Sequence, residues 1–229
     1  KKKKYMINEL LYLSHNLSNF VIYGEGNVSA KATTKEKDYF WIKASGTNLF
    51  NLSRQDLILC DKDGLQKDNF NKKPSLEVLF HSFLLSFPDI NFIAHTHPTK
   101  TMQLLCGNLI AIFAERRFFP DQIVRNGKKS CYIPYVTPGK LLSNNIEFYV
   151  KKFCDIEGYF PKLILLQNHG IICAASSAKE CIVNTAMCEK SAEIFVGCYG
   201  LGSINYLTNN EINEIETCPI EQYRKKILK

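Results

Sequence analysis

Two of the five histidines in this 229-residue chain, His95 and His97, stand two positions apart, just before Pro98. On an extended strand, side chains two apart share a face, so both imidazoles can reach one ion. His169 falls between Asn168 and Gly170, where two apolar runs meet. The glycine there permits either a close backbone approach or an unusual φ. Glu77 follows Pro74 and Ser75, in the first turn of the helix that these two residues open. Three imidazoles and a carboxylate form a donor set suited to zinc, a borderline-soft cation. Each piece has an ordinary alternative. A His-x-His pair arises by chance, a histidine suits a turn, and the helix dipole favours an acid at a helix N-terminus. His81, four residues after Glu77 and on the same helical face, competes as a ligand. Helix packing or a hydrogen bond that supports the site is the preferred reading for it. His15 has no partner in view.

A second constellation suits an anion. Gly26-Asn27-Val28-Ser29 and Ser45-Gly46-Thr47 are small polar turns, and Ser75 sits at a helix N-terminus. Backbone N–H groups, an amide and hydroxyls together suit a phosphate without a lysine. Each turn alone is a weak signal, and neither has Walker or dinucleotide spacing.

The elements that must hold these groups follow from periodicity and turn chemistry. Residues 5–20 repeat apolar positions at helical spacing. A turn at 24–27 leads into a strand from Val28, and 39–44 and 57–60 read as further strands. A polar stretch runs from Asp61 to Lys73, and Pro74-Ser75 opens a helix of about 12 residues. Strands are expected at 91–95, 109–113, 131–136, 163–167 and 171–175. A helix is expected around Leu141 to Phe153. Ser177 to Glu180 is a capping box that starts a long helix, and a short one begins near Asn210. No repeat or low-complexity linker interrupts the pattern, which predicts one α/β domain with helices packed on a mixed sheet.

Composition narrows the partners. The net charge is +7, yet eight of the 29 basic residues occupy the two tips, at Lys1–Lys4 and Arg224–Lys229. That leaves 21 bases against 22 acids between them, a net of −1. A neutral body argues against nucleic acid as the partner. No apolar run approaches the roughly 18–20 residues that span a bilayer, so no membrane partner is expected. Nine cysteines are scattered without a Cys-x-x-Cys pair, several inside apolar runs. They suit a reducing cytoplasm and a soluble protein.

Taken in order, GNVSA (26–30), IKASGTNL (42–49), PSLEVLFH (74–81), HTHP (95–98) and LLQNHGII (165–172) resemble the class II aldolase/adducin family of zinc-dependent sugar-phosphate enzymes. The resemblance spans residues 5–200. The Pro-Ser-x-Glu pattern and FPD at 119–121 lean toward its rhamnulose- or fuculose-phosphate-aldolase-like members. The resemblance implies a single-domain three-layer α/β/α sandwich with a central mixed, largely antiparallel sheet. The domain would cover 5–208, between a basic tip at 1–4 and a helical tail at 209–229. It also implies a homotetramer with sites at subunit interfaces and a sugar phosphate as substrate.

By the same resemblance, His95, His97 and His169 would be the zinc ligands, with Mn2+ or Co2+ as alternative ions. Glu77 would be the fourth ligand or the catalytic base. Asn27, Ser45, Gly46 and Ser75 would hold the phosphate. Asp121 would be a proton donor lent by a neighbouring subunit, with capping a turn as its alternative. Leu76 stands where members often carry a second hydroxyl, so one phosphate contact is missing. Glu77 in place of the epimerases' Asp favours carbon–carbon cleavage or dehydration. The expected activity is a lyase that cleaves a ketose 1-phosphate to dihydroxyacetone phosphate and an aldehyde. A dehydratase, decarboxylase or epimerase on the same metal site, and a non-catalytic adducin-like scaffold, are the alternatives.

Overall fold

The computed structural model describes residues 2–32, 39–68 and 71–227. Lys1 and Lys229 of the charged tips lie outside them, as does part of the polar stretch before Lys73. Seven short strands build one sheet: β1 (Asn27–Ala32), β2 (Tyr39–Lys43), β3 (Leu57–Asp61), β4 (Phe92–Thr96), β5 (Cys131–Ile133), β6 (Leu163–Leu166) and β7 (Gly170–Ala175). Their order is β3-β2-β1-β4-β7-β6-β5. Only the β5–β6 pair is parallel. Both faces of the sheet are covered. That is why β4, β6 and β7 read as continuous apolar runs rather than alternating ones.

One face carries α1 (Lys2–Leu17), α3 (Thr99–Leu105), α4 (Ile110–Glu115) and α7 (Ala178–Gly200). Leu10, Leu13, Val28, Ala94, Cys173 and Phe195 are buried in that layer. The other face carries α2 (Val78–Leu85) and α6 (Lys140–Glu157) over Ile42, Ile93, Ile164 and Ile172. Helix α5 (Pro120–Asn126) packs on α7, and on α8 (Asn209–Thr217) and α9 (Pro219–Ile227). The result is an α/β/α sandwich around a mixed, largely antiparallel sheet. No helix among the described residues is long and apolar enough to cross a membrane.

Several elements differ from expectation: α3, α5 and α9 form beyond the helices expected, and two further elements change type or start. The run at 109–113 is not a strand. It forms α4, whose buried residues Ile110, Phe113 and Ala114 have helical spacing, and so short an apolar run does not separate the two periods. The helix expected from Pro74 starts later, at Val78, with Glu77 in its N-cap position. The N–H of Ser45 donates to Lys73 O (2.9 Å) and that of Ser75 to Lys43 O (3.2 Å). These bonds pin 73–75 to the end of β2, so Pro74 and Ser75 are spent on a bridge rather than on a helical turn.

Candidate functional site

The register of β1 against β4 sets Asn27 opposite His95, on the face under α2. His95 is 1% exposed, and its Nδ1–H donates to Ile171 O of β7 at 2.9 Å. That bond leaves the Nε2 lone pair facing away from the sheet hydrogen bonding. His97 follows the end of β4, and its backbone N–H donates to Phe20 O at 3.0 Å. Its Nε2 lies 3.2 Å from His95 Nε2, and its Nδ1 lies 3.5 Å from a Glu25 carboxylate oxygen.

His169 projects from the turn between β6 and β7. Asn168 precedes it at φ 54°, a left-handed conformation that Asn tolerates better than most residues. Of the two readings of Gly170, close approach is the one seen. A Cβ there would stand 2.4 Å from His97 Cδ2 and 2.7 Å from Thr96 O. The positive φ belongs to the neighbouring asparagine instead.

Glu77 closes the group. Its Oε2 accepts from Asn27 Nδ2 at 2.7 Å and lies 3.5 Å from His95 Nε2, while Oε1 lies 3.4 Å from His169 Nε2. Candidate ligand nitrogens of His95, His97 and His169 all fall within 4.8 Å of one another. Burial, then the neighbouring His97, lowers the His95 pKa to about 3. Burial, then His95, lowers that of His169 to about 4, with Glu77 opposing. Both rings are therefore neutral at neutral pH, the form that binds metals. Glu77 Oε1 is buried without a hydrogen-bond donor. A buried carboxylate oxygen beside neutral imidazole nitrogens is the donor chemistry of a divalent-cation site, so these residues fit one.

The residues expected to hold an anion gather at the same end of the sheet. Asn27 Nδ2 also donates to Ser75 Oγ (3.3 Å), and the N–H of Glu77 donates to the same oxygen (3.2 Å). Ser45 and Gly46 form an exposed turn beside Pro74, with Gly46 at φ +75°. A lysine, not among the residues expected here, lies at the same end of β2 as these turns. Lys43, at the end of β2, is 2% exposed, and its Nζ donates to Thr47 O at 2.6 Å. Burial lowers its pKa to about 8, with Asp56 and Glu77 opposing. Among the described residues no carboxylate lies within ion-pair distance of it. Its signal in the sequence was a single charge inside the apolar run YFWIKA (39–44).

Asp121 is not part of this group. It lies in α5, half-exposed, with Oδ1 3.1 Å from Arg224 Nη2 of α9. His81 does not join the ligands either; its ring bonds Asn27 Oδ1 and Ser29 Oγ. His15 bonds Leu52 O at 3.0 Å. All nine cysteines are free thiols, and burial pushes those of Cys60, Cys131 and Cys173 up to about 12. A cavity of about 770 Å3, lined by Lys31, Phe83 and Glu147 among others, contains none of the site residues.

Sandwich and site together define a protein of the class II aldolase type. The chain belongs to the class II aldolase/adducin family: residues 9–196 match the family described as Class II Aldolase and Adducin N-terminal domain. An L-fuculose phosphate aldolase of Methanococcus maripaludis is 25% identical over 83% of this chain and 89% of its own length. The uncharacterized oxidoreductase YuxG of Bacillus subtilis is 24% identical over 83% of this chain, which spans only 29% of that longer protein. The crystal structure of YgbL from Escherichia coli superposes with a TM-score of 0.77 at 25% identity, covering 95% of this chain and all of that one.

Proposed function

We propose that the protein is a divalent-metal-dependent lyase that cleaves a ketose 1-phosphate to dihydroxyacetone phosphate and an aldehyde. The observation that carries this reading is the convergence of His95, His97, His169 and Glu77 beside a polar cradle that contains a buried lysine. A divalent ion held by the three histidines, with Zn2+ first and Mn2+ or Co2+ as alternatives, would supply Lewis-acid stabilisation of charge developing on the substrate carbonyl oxygen.

The rest is done by the chain. Lys43, Ser75 and the turn at Ser45-Gly46 hold the phosphate, while Asn27 holds Glu77 in place. Lys43 makes up for the hydroxyl missing at Leu76. Loss of a proton from the hydroxyl on the carbon beyond the scissile bond sends the bonding electrons toward the carbonyl, leaving an enediolate. Glu77, having taken a proton from solvent, gives it to the carbon of that enediolate, which completes the ketone product. Asp121 of a neighbouring copy exchanges the hydroxyl proton. That role needs an assembly with sites between subunits, for which we propose a homotetramer. Exposed Ile22, Tyr23, Phe50 and Leu76, all close in sequence to site residues, support it. The scaffold alternative is disfavoured because a scaffold has no use for an intact ligand set. Nine free thiols support a reducing cytoplasm as the compartment.

Metal-stripped and Zn2+-reloaded protein, incubated with a panel of ketose 1-phosphates and sugar-acid phosphates, tests the reading by product mass. Metal-dependent release of an aldehyde is expected. Loss of carbon dioxide or of water instead would assign the decarboxylase or dehydratase alternative.

A further inference from the structure

We propose that His81 is a positioning residue that decides which face of the Asn27 carboxamide meets Glu77. The proposal rests on the reading of Glu77 as ligand or base. His81 is fully buried in α2. Beneath it, Asn27 and Ser29 stand two apart on β1 and so present to the same side of the sheet. The ring touches both: Nδ1 lies 2.6 Å from Ser29 Oγ, and Nε2 makes a short bond to Asn27 Oδ1.

A neutral imidazole has one N–H, so the ring can donate in only one of these two directions. The far end of the chain selects which. The Glu77 oxygen is the acceptor of the 2.7 Å bond, so the Asn27 atom that faces it is the amide nitrogen. The Asn27 oxygen then faces His81, whose Nε2 must carry the hydrogen. Its Nδ1 must accept, and the Ser29 hydroxyl must donate to it. Ser29 to His81 to Asn27 to Glu77 is thus one directed line in which every hydrogen has a place. The second amide hydrogen reaches Ser75 Oγ at 3.3 Å.

Reversing the ring would turn the Asn27 carbonyl toward the carboxylate. Two acceptors would then face each other in a buried site, at the cost that attends unpaired polar groups. His81 thereby keeps Glu77 Oε2 on the amide and leaves Oε1 toward His169. It touches neither ion nor substrate and acts only through Asn27.

The ring tautomer is read first, by 15N NMR of the metal-free full chain, which needs no metal site to be correct. Protonation at Nε2 with a bare Nδ1 is expected; the reverse tautomer overturns the proposal. Zn2+ affinity is then measured by chelator competition on folded protein, with thermal unfolding followed in parallel. His81→Phe should weaken Zn2+ binding about tenfold. His81→Gln, which keeps an N–H near the Nε2 position, should stay within about threefold of the parent. In an Asn27→Ala background, His81→Phe should have no further effect, because its path is already cut. Parent-like binding by His81→Phe, or the same loss repeated in the Asn27→Ala background, overturns the proposal. If His81→Phe does not fold, Ser29→Ala replaces it: it frees Nδ1 from accepting and should weaken Zn2+ binding only while Asn27 is present. A parent that takes no Zn2+ refutes the metal reading alone, and the tautomer still decides the hydrogen-bond line.

Discussion

Glu77 and its neighbours show how much depends on single atoms. Gly170 is required by proximity, since any Cβ would overlap the His97 ring and the Thr96 carbonyl. Gly170→Ala should lose roughly 1–3 kcal/mol in urea unfolding. It should also weaken Zn2+ binding at least tenfold, because His97 must move. A variant with unchanged Zn2+ affinity would show that His97 is not a ligand. The histidines also predict an acid sensitivity. The His95 pKa is lowered in the folded state to about 3, so below the ordinary value of 6.5 the unfolded chain binds the extra proton. Stability of the metal-free protein is then full above about pH 6.5 and falls as the pH drops from there toward 3. His95 alone should cost about 2 kcal/mol at pH 5. Denaturant midpoints between pH 7 and 5 check this, and His95→Gln should flatten the slope.

Among the elements, the end of β2 does the most positioning. It carries Lys43, forms the turn at 45–47 and pins Pro74 and Ser75, so that α2 begins after Glu77 instead of before it. Glu77 therefore caps the helix instead of lying within it, its N–H donates to Ser75 Oγ, and its side chain faces the histidines. Helix α4 ends on a different device. Arg117 is buried, and its guanidinium donates to the carbonyls of Phe113, Ala114 and Gly127 and to Ser130 Oγ. That cation is absorbed by structure, its partners being the carbonyl-rich helix end. Lys43 is the opposite case, a buried ammonium satisfied by few carbonyls and held at a lowered pKa. Lys43→Met should raise the thermal midpoint of the free protein, since a desolvated charge is removed. The same change should weaken inorganic phosphate binding about tenfold, measured by calorimetry. A loss of stability with phosphate binding intact would make Lys43 a structural residue.

For the molecule as a whole, the charge of +7 says little about partners. The body is neutral, and the groups proposed to hold an anion are concentrated at one end of the sheet. Assembly matters more. Ile22, Tyr23, Phe50 and Leu76 are 61–83% exposed. Isolated apolar residues on a surface are ordinary; these four, each within five positions of Asn27, Gly46 or Glu77, are the basis of the proposed assembly. Light scattering should give a mass four times that of the 26.2 kDa chain. Phe50→Asp should shift it toward smaller species and lower turnover with it. A monomer with full activity would remove Asp121 of a neighbouring copy from the mechanism.

Much of this was legible in the residue string. His95 and His97 share a side because strand geometry has a period of two, and His169 stood out because two apolar runs broke around it. The order of strands and helices could be read for the same reason, since periodicity is a local property. The exceptions were the short helices α3, α5 and α9, which too few periodic residues marked, α4, where five apolar residues fit either period, and the start of α2, where a bridge to β2 overrode the signal of Pro74 and Ser75. Tertiary structure alone decided that Lys43 is buried beside the cradle, that Gly170 is needed for contact and not for its φ, and that His81 faces Asn27 rather than an ion. Asp121, plausible by position, lies against Arg224 within its own chain. Local pattern records which way a side chain points along its own element. Which groups then meet depends on strand order, register and packing between residues 50 or more apart, and only the folded chain supplies those.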